Sequence, residues 1–560
     1  MLSTIWTAPR RQAAGRSIDC KDAEHPVIDG KPIVLDALER CTAWSYGADG
    51  EALIVGTNWS LRRYGRGGQA LWRVYTQGKV HAVNLSADGR YVVAALSDGT
   101  LRWFDPNSGQ ERFGLFLHAN ERDWVLWRPD GYYAASPEGD QFVGWHVNDG
   151  QDKEARFYRA VQFERLLYRP DLVRAQFDPT QTAADAGSGA SIEKIAAIEP
   201  PAIRITTAAA GPGGRPSIAI DVDSRGTPIT EYRVYLNGIP ILNPAERTLK
   251  EGERLRFKRR VAFEATGDGD QLRVEAFNGR SMGLAEYYLR AATANPAPQR
   301  RGNLYLLAVG VNHFDHIPKG PDRILDDLEF AAQDADAFAR LMQGAQGHPY
   351  ERVHVKVLSD RGNLPTRRAV VEALPFLQRA GADDTVVLFL ASHGFSDPAG
   401  NYFFVPRDAT QQDIREALAG RFVDREPKSL VSWRILFDAM RDSAGRRLLI
   451  VDTCQSLAVA GSFDARSLKK RTAASRFAML TASQRNEYSQ EYPQGGHGLF
   501  TFALLEALKR PAGAAKQRVT VEDAFEQTSR VVKQLGDART RQTPQLIAPS
   551  FLADTPLVAW

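Results

Sequence analysis

From Gly302 to the C-terminus, apolar runs alternate with segments of helical periodicity, and no other feature of the chain constrains its fold as tightly. "NLYLLAVGV" reads as a buried strand, and "DDLEFAAQDADAFARLMQ" sets Leu328, Ala331, Ala335, Phe338 and Leu341 at helical spacing. "RVHVKVLSD" follows as a strand, "TRRAVVEALPFLQRA" as a helix interrupted by Pro375, and "DTVVLFLASHG" as another buried strand. A helix around Trp433 to Met440, the strands "LLIVDTC" and "RFAMLTAS", and helices near 498–510 and 521–535 complete the order. This order predicts a mainly parallel sheet with helices on both faces.

Parallel sheets of this kind present their ligands at the carboxyl ends of the strands. Two strands here stop on reactive groups: "VVLFLASHG" places His393 and Gly394 after its apolar run, and "LLIVDTC" places Cys454 after its own. A lone buried cysteine is usually a small core hydrophobe. A thiol with an imidazole at the neighbouring strand end is a nucleophile with a proton-transfer partner. Glycine directly after the histidine lets its backbone N–H approach a carbonyl closely, and with the N–H of Cys454 it would form an oxyanion hole.

With those residues in view, 303–550 resembles the caspase-like peptidases of the caspase–hemoglobinase fold, and in particular the bacterial metacaspase-type branch. The resemblance rests on "LLAVGVNHF", "LEFAAQDADAFARLM", "SHG", "DTCQS" and "TASQRNEYSQE…GHGLFTFALLEAL", five separated motifs in the same order as in the family. Caspases carry Gln-Ala before the cysteine and Gly two after it. This chain has Asp452-Thr453 before and Gln455-Ser456 after, closer to the metacaspase pattern. The resemblance implies a cysteine endopeptidase with Cys454 as nucleophile, His393 as proton-transfer partner, and Gly394 and Cys454 as oxyanion donors. It also implies Asp452 and Asp334 as walls of an acidic pocket for the basic residue before the scissile bond. A carboxylate pair that is partly buried is costly without a cation, and an arginine or lysine side chain satisfies both members. Asp336, two residues from Asp334, reads as a helix-surface charge. Cleavage after Asp is the alternative within the enzyme class, and a non-catalytic interaction scaffold is the alternative outside it.

Between the Cys454 strand and "RFAMLTAS", the stretch "AGSFDARSLKKRTAAS" has small residues, no periodicity and the basic cluster Arg466, Lys469, Lys470 and Arg471. It reads as an exposed loop. In related enzymes the loop at this place is often cut on activation, which implies self-cleavage here. "SWRIL" at Ser432 to Leu436 reads as part of a packed helix. His313, Asp315 and His316 lie close in sequence but lack a third convergent ligand, so no metal site is expected. No cofactor is expected. Some metacaspases depend on calcium, so calcium activation stays open, although Asp397 and Asp408 form no recognisable ligand pattern.

The N-terminal quarter repeats. "ADGEALIVGTNWSLRRY" from Ala48, "ADGRYVVAALSDGTLRWFD" from Ala87 and "PDGYYAASPEGDQFVGWHV" from Pro129 share a turn, an apolar strand, a second turn and an aromatic-tipped strand at a period of about 40 residues. The units resemble WD-repeat propeller blades, with Tyr64, Trp103 and Trp145 expected between blades, although none keeps the family's Trp-Asp pair intact. Residues 1–177 therefore read as a propeller-like region of about three blades, 178–200 as a linker, 201–293 as an immunoglobulin-like β-sandwich, 294–302 as a second linker and 303–560 as the caspase-like domain. The β-modules are expected to bind a regulatory protein partner.

Composition narrows the rest. A net charge of +4 over 560 residues gives no nucleic-acid footprint. No apolar run is long enough to cross a membrane, and no secretory signal is visible. Three cysteines without paired spacing (Cys20, Cys41, Cys454) suggest a reduced, cytoplasmic setting. Protein or peptide substrates are expected, without nucleic acid or membrane.

Overall fold

The computed structural model describes the chain apart from 1–7, 21–22, 122, 137–138, 149, 153, 177–197, 210, 212–214, 266–268, 290–300, 321–322, 398–401, 423–425, 454–476, 484–486, 488, 510–516 and 537–540. It divides into two compact units, Met1–Ala160 with Leu166–Ala197, and Val161–Arg165 with Ile198–Trp560. No helix among the described residues is long and apolar enough to cross a membrane.

The first unit is built of antiparallel sheets. Strands Cys41–Tyr46, Leu53–Thr57, Ser60–Tyr64 and Ala70–Tyr75 form one of four strands. Strands Val80–Leu85, Val92–Leu96, Thr100–Phe104, Glu111–Leu117, Trp124–Trp127 and Tyr133–Ala135 form one of six. The first two repeats each fold as a paired hairpin, Leu53–Thr57 with Ser60–Tyr64 and Val92–Leu96 with Thr100–Phe104. The third departs from the blade expectation: Tyr133–Ala135 extends the preceding sheet, while Trp145 lies on Gly144–Val147, which pairs with Arg156–Arg159. Its second turn is five residues longer than the tight Ser-Asp-Gly turn of the second repeat, so the two strands never meet as a hairpin. In the second repeat, Phe104 is the buried aromatic and Trp103 points to the other face, as the two-residue period of a strand requires.

Cys20 and Cys41 are joined by a disulfide, with Cα atoms 5.9 Å apart. Their spacing of 21 residues did not advertise the pair. Because disulfides persist in oxidising surroundings, the count of cysteines no longer argues for a reduced setting.

The second unit begins with two antiparallel sheets sharing one core. Ala202–Ala208, Ser217–Asp223 and Arg256–Ala262 form one; Glu231–Leu236, Ile239–Pro240, Gln271–Phe277 and Met282–Tyr288 form the other. Ile218, Ile220 and Val222 of the first face Tyr232, Val234, Leu272 and Val274 of the second. These sheets are anchored on the C-terminal domain. Arg233 and Arg247 both reach Asp442 at 3.3 Å, Gly445 N–H donates to Pro240 O at 3.0 Å, and Ala382 packs against the shared core.

The C-terminal domain has a six-stranded sheet: β1 (Leu304–Gly310), β2 (Val353–Ser359), β3 (Thr385–Ser392), β4 (Arg446–Thr453), β5 (Ala478–Thr481) and β6 (Gln545–Ile547), in spatial order β2-β1-β3-β4-β5-β6. The first four contacts are parallel and β5–β6 is antiparallel, so the sheet is mixed where a mainly parallel one was expected. The helices are α1 (Ala331–Gln343), α2 (Arg367–Ala373), α3 (Gln411–Leu418), α4 (Trp433–Asp442), α5 (Leu499–Leu508) and α6 (Val521–Leu535). Alternate residues of β1 serve opposite faces. Leu307 and Val309 pack with Val370, Ile414 and Leu436, whereas Leu306 and Ala308 pack with Phe338, Phe500 and Ala524. Pro375 ends α2, and the chain continues as a 3-10 turn over Leu374–Arg379.

Candidate active site

Register decides which strand ends meet. In the β3–β4 pair, Ala391 lies opposite Asp452 and Ser392 opposite Thr453. His393 is the next residue of one strand, and Cys454 is the next in the sequence of the other. Cys454 itself, and the loop with Arg466, Lys469, Lys470 and Arg471, lie outside the described residues.

His393 is half-buried, its ring 5.2 Å from that of Phe314, and its Nε2 lies 2.7 Å from the carbonyl oxygen of Asp326. A carbonyl can only accept, so Nε2 carries the proton and Nδ1 is left with the lone pair. The Asp326 carbonyl is thus the group that orients the imidazole, a role no side chain was expected to fill and that a backbone atom leaves no sequence signal for. Burial holds the imidazole below its ordinary pKa, partly offset by the Asp326 carbonyl and the charge of Asp326. A neutral ring at neutral pH is the form that accepts a proton.

Gly394 opens a small antiparallel sheet of Gly394–Ser396, Tyr402–Phe404 and Val431–Ser432. A Cβ there would lie 2.4 Å from the Tyr402 hydroxyl and 2.7 Å from the Thr453 Oγ1. Those two hydroxyls are themselves bonded at 2.8 Å. Glycine is therefore required for packing at this point, independently of any role toward a substrate.

Asp334 sits in the first turn of α1 on the same face as Ala331, Ala335 and Phe338, so the helix period that buries those residues also buries the carboxylate, to 2 % exposure. No side chain of α1's own N-cap closes its N-terminus. Asn312 Oδ1 accepts from Ala332 N–H at 2.7 Å, and Glu491 accepts from the N–H groups of Glu329 and Phe330 at 2.7 and 3.2 Å. Asp336 bonds the Ser359 hydroxyl at 3.1 Å instead of lying free on the surface as expected.

Asp334 and Asp452 converge. Asp334 Oδ1 lies 2.5 Å from His497 Nδ1 and its Oδ2 accepts from Gly498 N–H at 3.0 Å. Asp452 accepts from the hydroxyls of Ser489 and Thr501, each at 2.6 Å. A Cβ placed on Gly498 would stand 3.1 Å from an oxygen of both carboxylates, so the missing side chain leaves a gap between two acids. Among the described residues, neither carboxylate pairs with a lysine or arginine. Burial first, then the charge of Asp452, pushes Asp334 up to about 7 against the pull of His497 and Gly498. Burial likewise raises Asp452, with Glu491 adding to it. Asp334 keeps acceptor capacity beyond its two donors, which a guanidinium or ammonium group can use.

His497, Gly498, Ser489 and Thr501 escaped notice in the sequence. "GHGLFTFALL" and "EYSQE" contained them, but nothing in their spacing indicated that they would surround carboxylates from two distant segments. The other candidates hold structural positions. Asp408 accepts from Arg367 N–H at 2.6 Å at the start of α2, Asp315 pairs with Arg407 at 2.8 Å, and Asp397 is buried. His313 lies 3.5 Å from Asp327. No group of three His, Cys, Asp or Glu among the described residues could hold a metal ion. "SWRIL" is helical as expected, with Trp433 and Leu436 buried in α4 and Arg434 paired with Glu426.

The family model described as a caspase domain matches residues 305–555. No curated protein matches the chain. Among solved structures, a protein of unknown function from Bacteroides caccae, crystallised at 1.35 Å, matches with 15% identity and a TM-score of 0.15, over 27% of this chain and 59% of that one. The chain thus spans little more than half the length of that structure, and a likeness of this size carries no argument about either fold or function. The family match agrees with the sheet order and the helices on both faces: the C-terminal part of the chain carries a caspase domain, of the cysteine-peptidase class.

Proposed function

We propose that this domain is a cysteine endopeptidase that cuts after Arg or Lys through a Cys454–His393 dyad. The observation that carries the specificity is the buried pair Asp334 and Asp452, closing on a gap at Gly498 with no lysine or arginine partner among the described residues. A basic side chain entering that gap removes the cost of two buried carboxylates, whereas an aspartate side chain adds a third negative charge. The register that ends β3 at Ser392 opposite Thr453 supports the dyad. Cys454 Sγ attacks the carbonyl carbon, the developing oxyanion is met by the N–H groups of Gly394 and Cys454, and His393 passes the thiol proton to the leaving amine. Water then hydrolyses the thioester and restores the thiol. The N-terminal β-sheets serve as docking modules for a regulatory partner.

The test uses the purified full-length chain and peptides ending in Arg, Lys or Asp before the scissile bond, with calcium or with chelator. Cleavage after Arg and Lys is expected, abolished in Cys454→Ala and lowered at least ~10²-fold in His393→Ala. Intact-mass measurement of the same samples reads self-cleavage, with fragments parted between Arg466 and Thr472 in the wild type alone. Wild-type turnover by Cys454→Ala, or preference for Asp, would overturn the reading.

A further inference from the structure

The two donors that hold Asp334 come from adjacent residues of one two-residue strand, His497–Gly498. That strand pairs with Glu491–Tyr492 and packs against α1 and α5. One face of the imidazole side is therefore committed to the acidic pocket. The ring also lines a separate cavity of about 300 Å³ between α1 and α5, with Leu341, Phe502 and Leu505 among its walls. His497 stands between a buried carboxylate and open space, with 22% of its side chain exposed.

We propose that His497 is the positioning residue of the acidic pocket: its Nδ1–H aims Asp334 and keeps it ionised, so the pocket accepts a basic side chain only while the His497–Asp334 pair shares a single proton. This inference rests on the reading of Asp334 and Asp452 as the site of the substrate's cation. In that state the Nδ1–H donates to Asp334 and leaves the carboxylate its negative charge. Once Asp334 takes up a proton that charge is lost, and binding a guanidinium then releases the proton to solvent.

The surrounding charges do not substitute for the imidazole. Asp452 on β4 makes ionising Asp334 harder, and Glu491 on the partner strand in turn raises Asp452. On α1, Arg340 lines the cavity side; on α5, Glu506 and Lys509 line it too and are paired with each other. Among the described residues, Asp334 has the His497 ring and the Gly498 N–H as donors. Removing the ring halves its hydrogen bonds in a site where burial already favours the protonated acid.

The experiment measures the Kd of Nα-acetyl-L-arginine amide for the full-length protein by calorimetry between pH 5.5 and 9, in wild type, His497→Ala and His497→Asn. In the wild type, affinity should fall by up to about tenfold per pH unit below about 7, with uptake and release of one proton visible as a dependence of the heat on buffer. His497→Ala should begin to lose affinity at least about one pH unit higher and converge with the wild type by about pH 9, where Asp334 is ionised in both. His497→Asn, which keeps a donor near the Nδ1 position, should lie between them. Superimposable profiles, or a loss in His497→Ala that is the same at every pH, would overturn the role of His497 while leaving the acidic pocket standing. Absence of binding at every pH in the wild type would overturn the acidic pocket, and this inference with it.

Discussion

The two compact units each bury a carboxylate, and they treat it in opposite ways. Glu39 in the N-terminal unit is 1% exposed and is met by the Arg62 guanidinium, the hydroxyls of Thr57 and Ser60, and the Asp36 N–H. Burial pushes its pKa up, but the Ser60, Thr57 and Arg62 donors outweigh that and hold the carboxyl below its ordinary value. Asp334 in the C-terminal domain is as deeply buried, has an imidazole and one N–H, and is raised to about 7. A buried acid whose counter-ion is part of the chain is finished structure. One that lacks it holds a position open for something that arrives from outside.

The sharpest way to break this comparison is to neutralise both acids. Asp334→Asn should lower kcat/KM for Arg and Lys peptides by ~10²-fold or more while the protein stays folded, since a charge-assisted contact to the substrate is lost. Glu39→Gln should leave kcat/KM unchanged and cost about 2–4 kcal/mol of stability, because it leaves the buried Arg62 with only the more distant Asp36 carboxylate, 3.4 Å away. Denaturant melts and peptide kinetics on both variants check this, and a swap of the two outcomes would reverse the assignment.

A smaller effect follows from the sign of the shift at Asp334. Its folded pKa of about 7 lies above the ordinary 3.8, so the folded state holds that proton more tightly. The stability this confers is complete below about pH 4 and is lost as pH rises through about 7. Asp334→Asn cannot ionise and escapes that loss. The variant should therefore melt above the wild type at pH 8, by an amount on the order of a few kcal/mol, with the gap closing toward pH 5. Thermal melts across that range decide it. Glu39, with its pKa depressed, should show the opposite trend, with stability lost on acidification.

The smallest expected effect probes the gap itself. Gly498→Ala places a methyl group 3.1 Å from both carboxylates without demanding an unusual backbone, since Gly498 has φ −60° and ψ 142°. KM for basic peptides should rise about tenfold with kcat little changed, as for loss of uniform binding. An unaltered KM would mean that the substrate's cation is held elsewhere.

What the sequence disclosed follows the range of the interactions involved. Apolar runs and their periods located β1, β3 and β4 and the helices α1, α2 and α4, because burial patterning is local. That the strands ending at Ser392 and Thr453 are parallel neighbours in register was legible for the same reason. The edge strand β6 was not, because its three residues, Gln545–Ile547, are too short to show a period, and their antiparallel pairing to β5 makes the sheet mixed. In the N-terminal unit, the first two repeats folded as matched hairpins, whereas the third kept the repeat's letters and lost its pairing at a lengthened turn. The disulfide and the surroundings of Asp334 were invisible, since both depend on residues that only the folded chain brings together. His497 and Asp334 are 163 positions apart, and Asp326 acts through an atom every residue has.

The anchoring of the two small β-sheets on the C-terminal domain bears on where this protein can be divided. Asp442 ends α4, four residues before β4 begins, and its carboxylate is answered by Arg233 and Arg247 from those sheets. A fragment trimmed to the matched family boundary would strip Asp442 of Arg233 and Arg247 and uncover Ala382, at the foot of the strand that leads to His393. Arg165, from the short segment assigned to the same unit, binds Glu231 at 2.6 Å and belongs with them. The smallest piece that keeps these contacts therefore comprises residues 198–560 together with Val161–Arg165. Homology defines a narrower module than the one the chain has physically made indivisible.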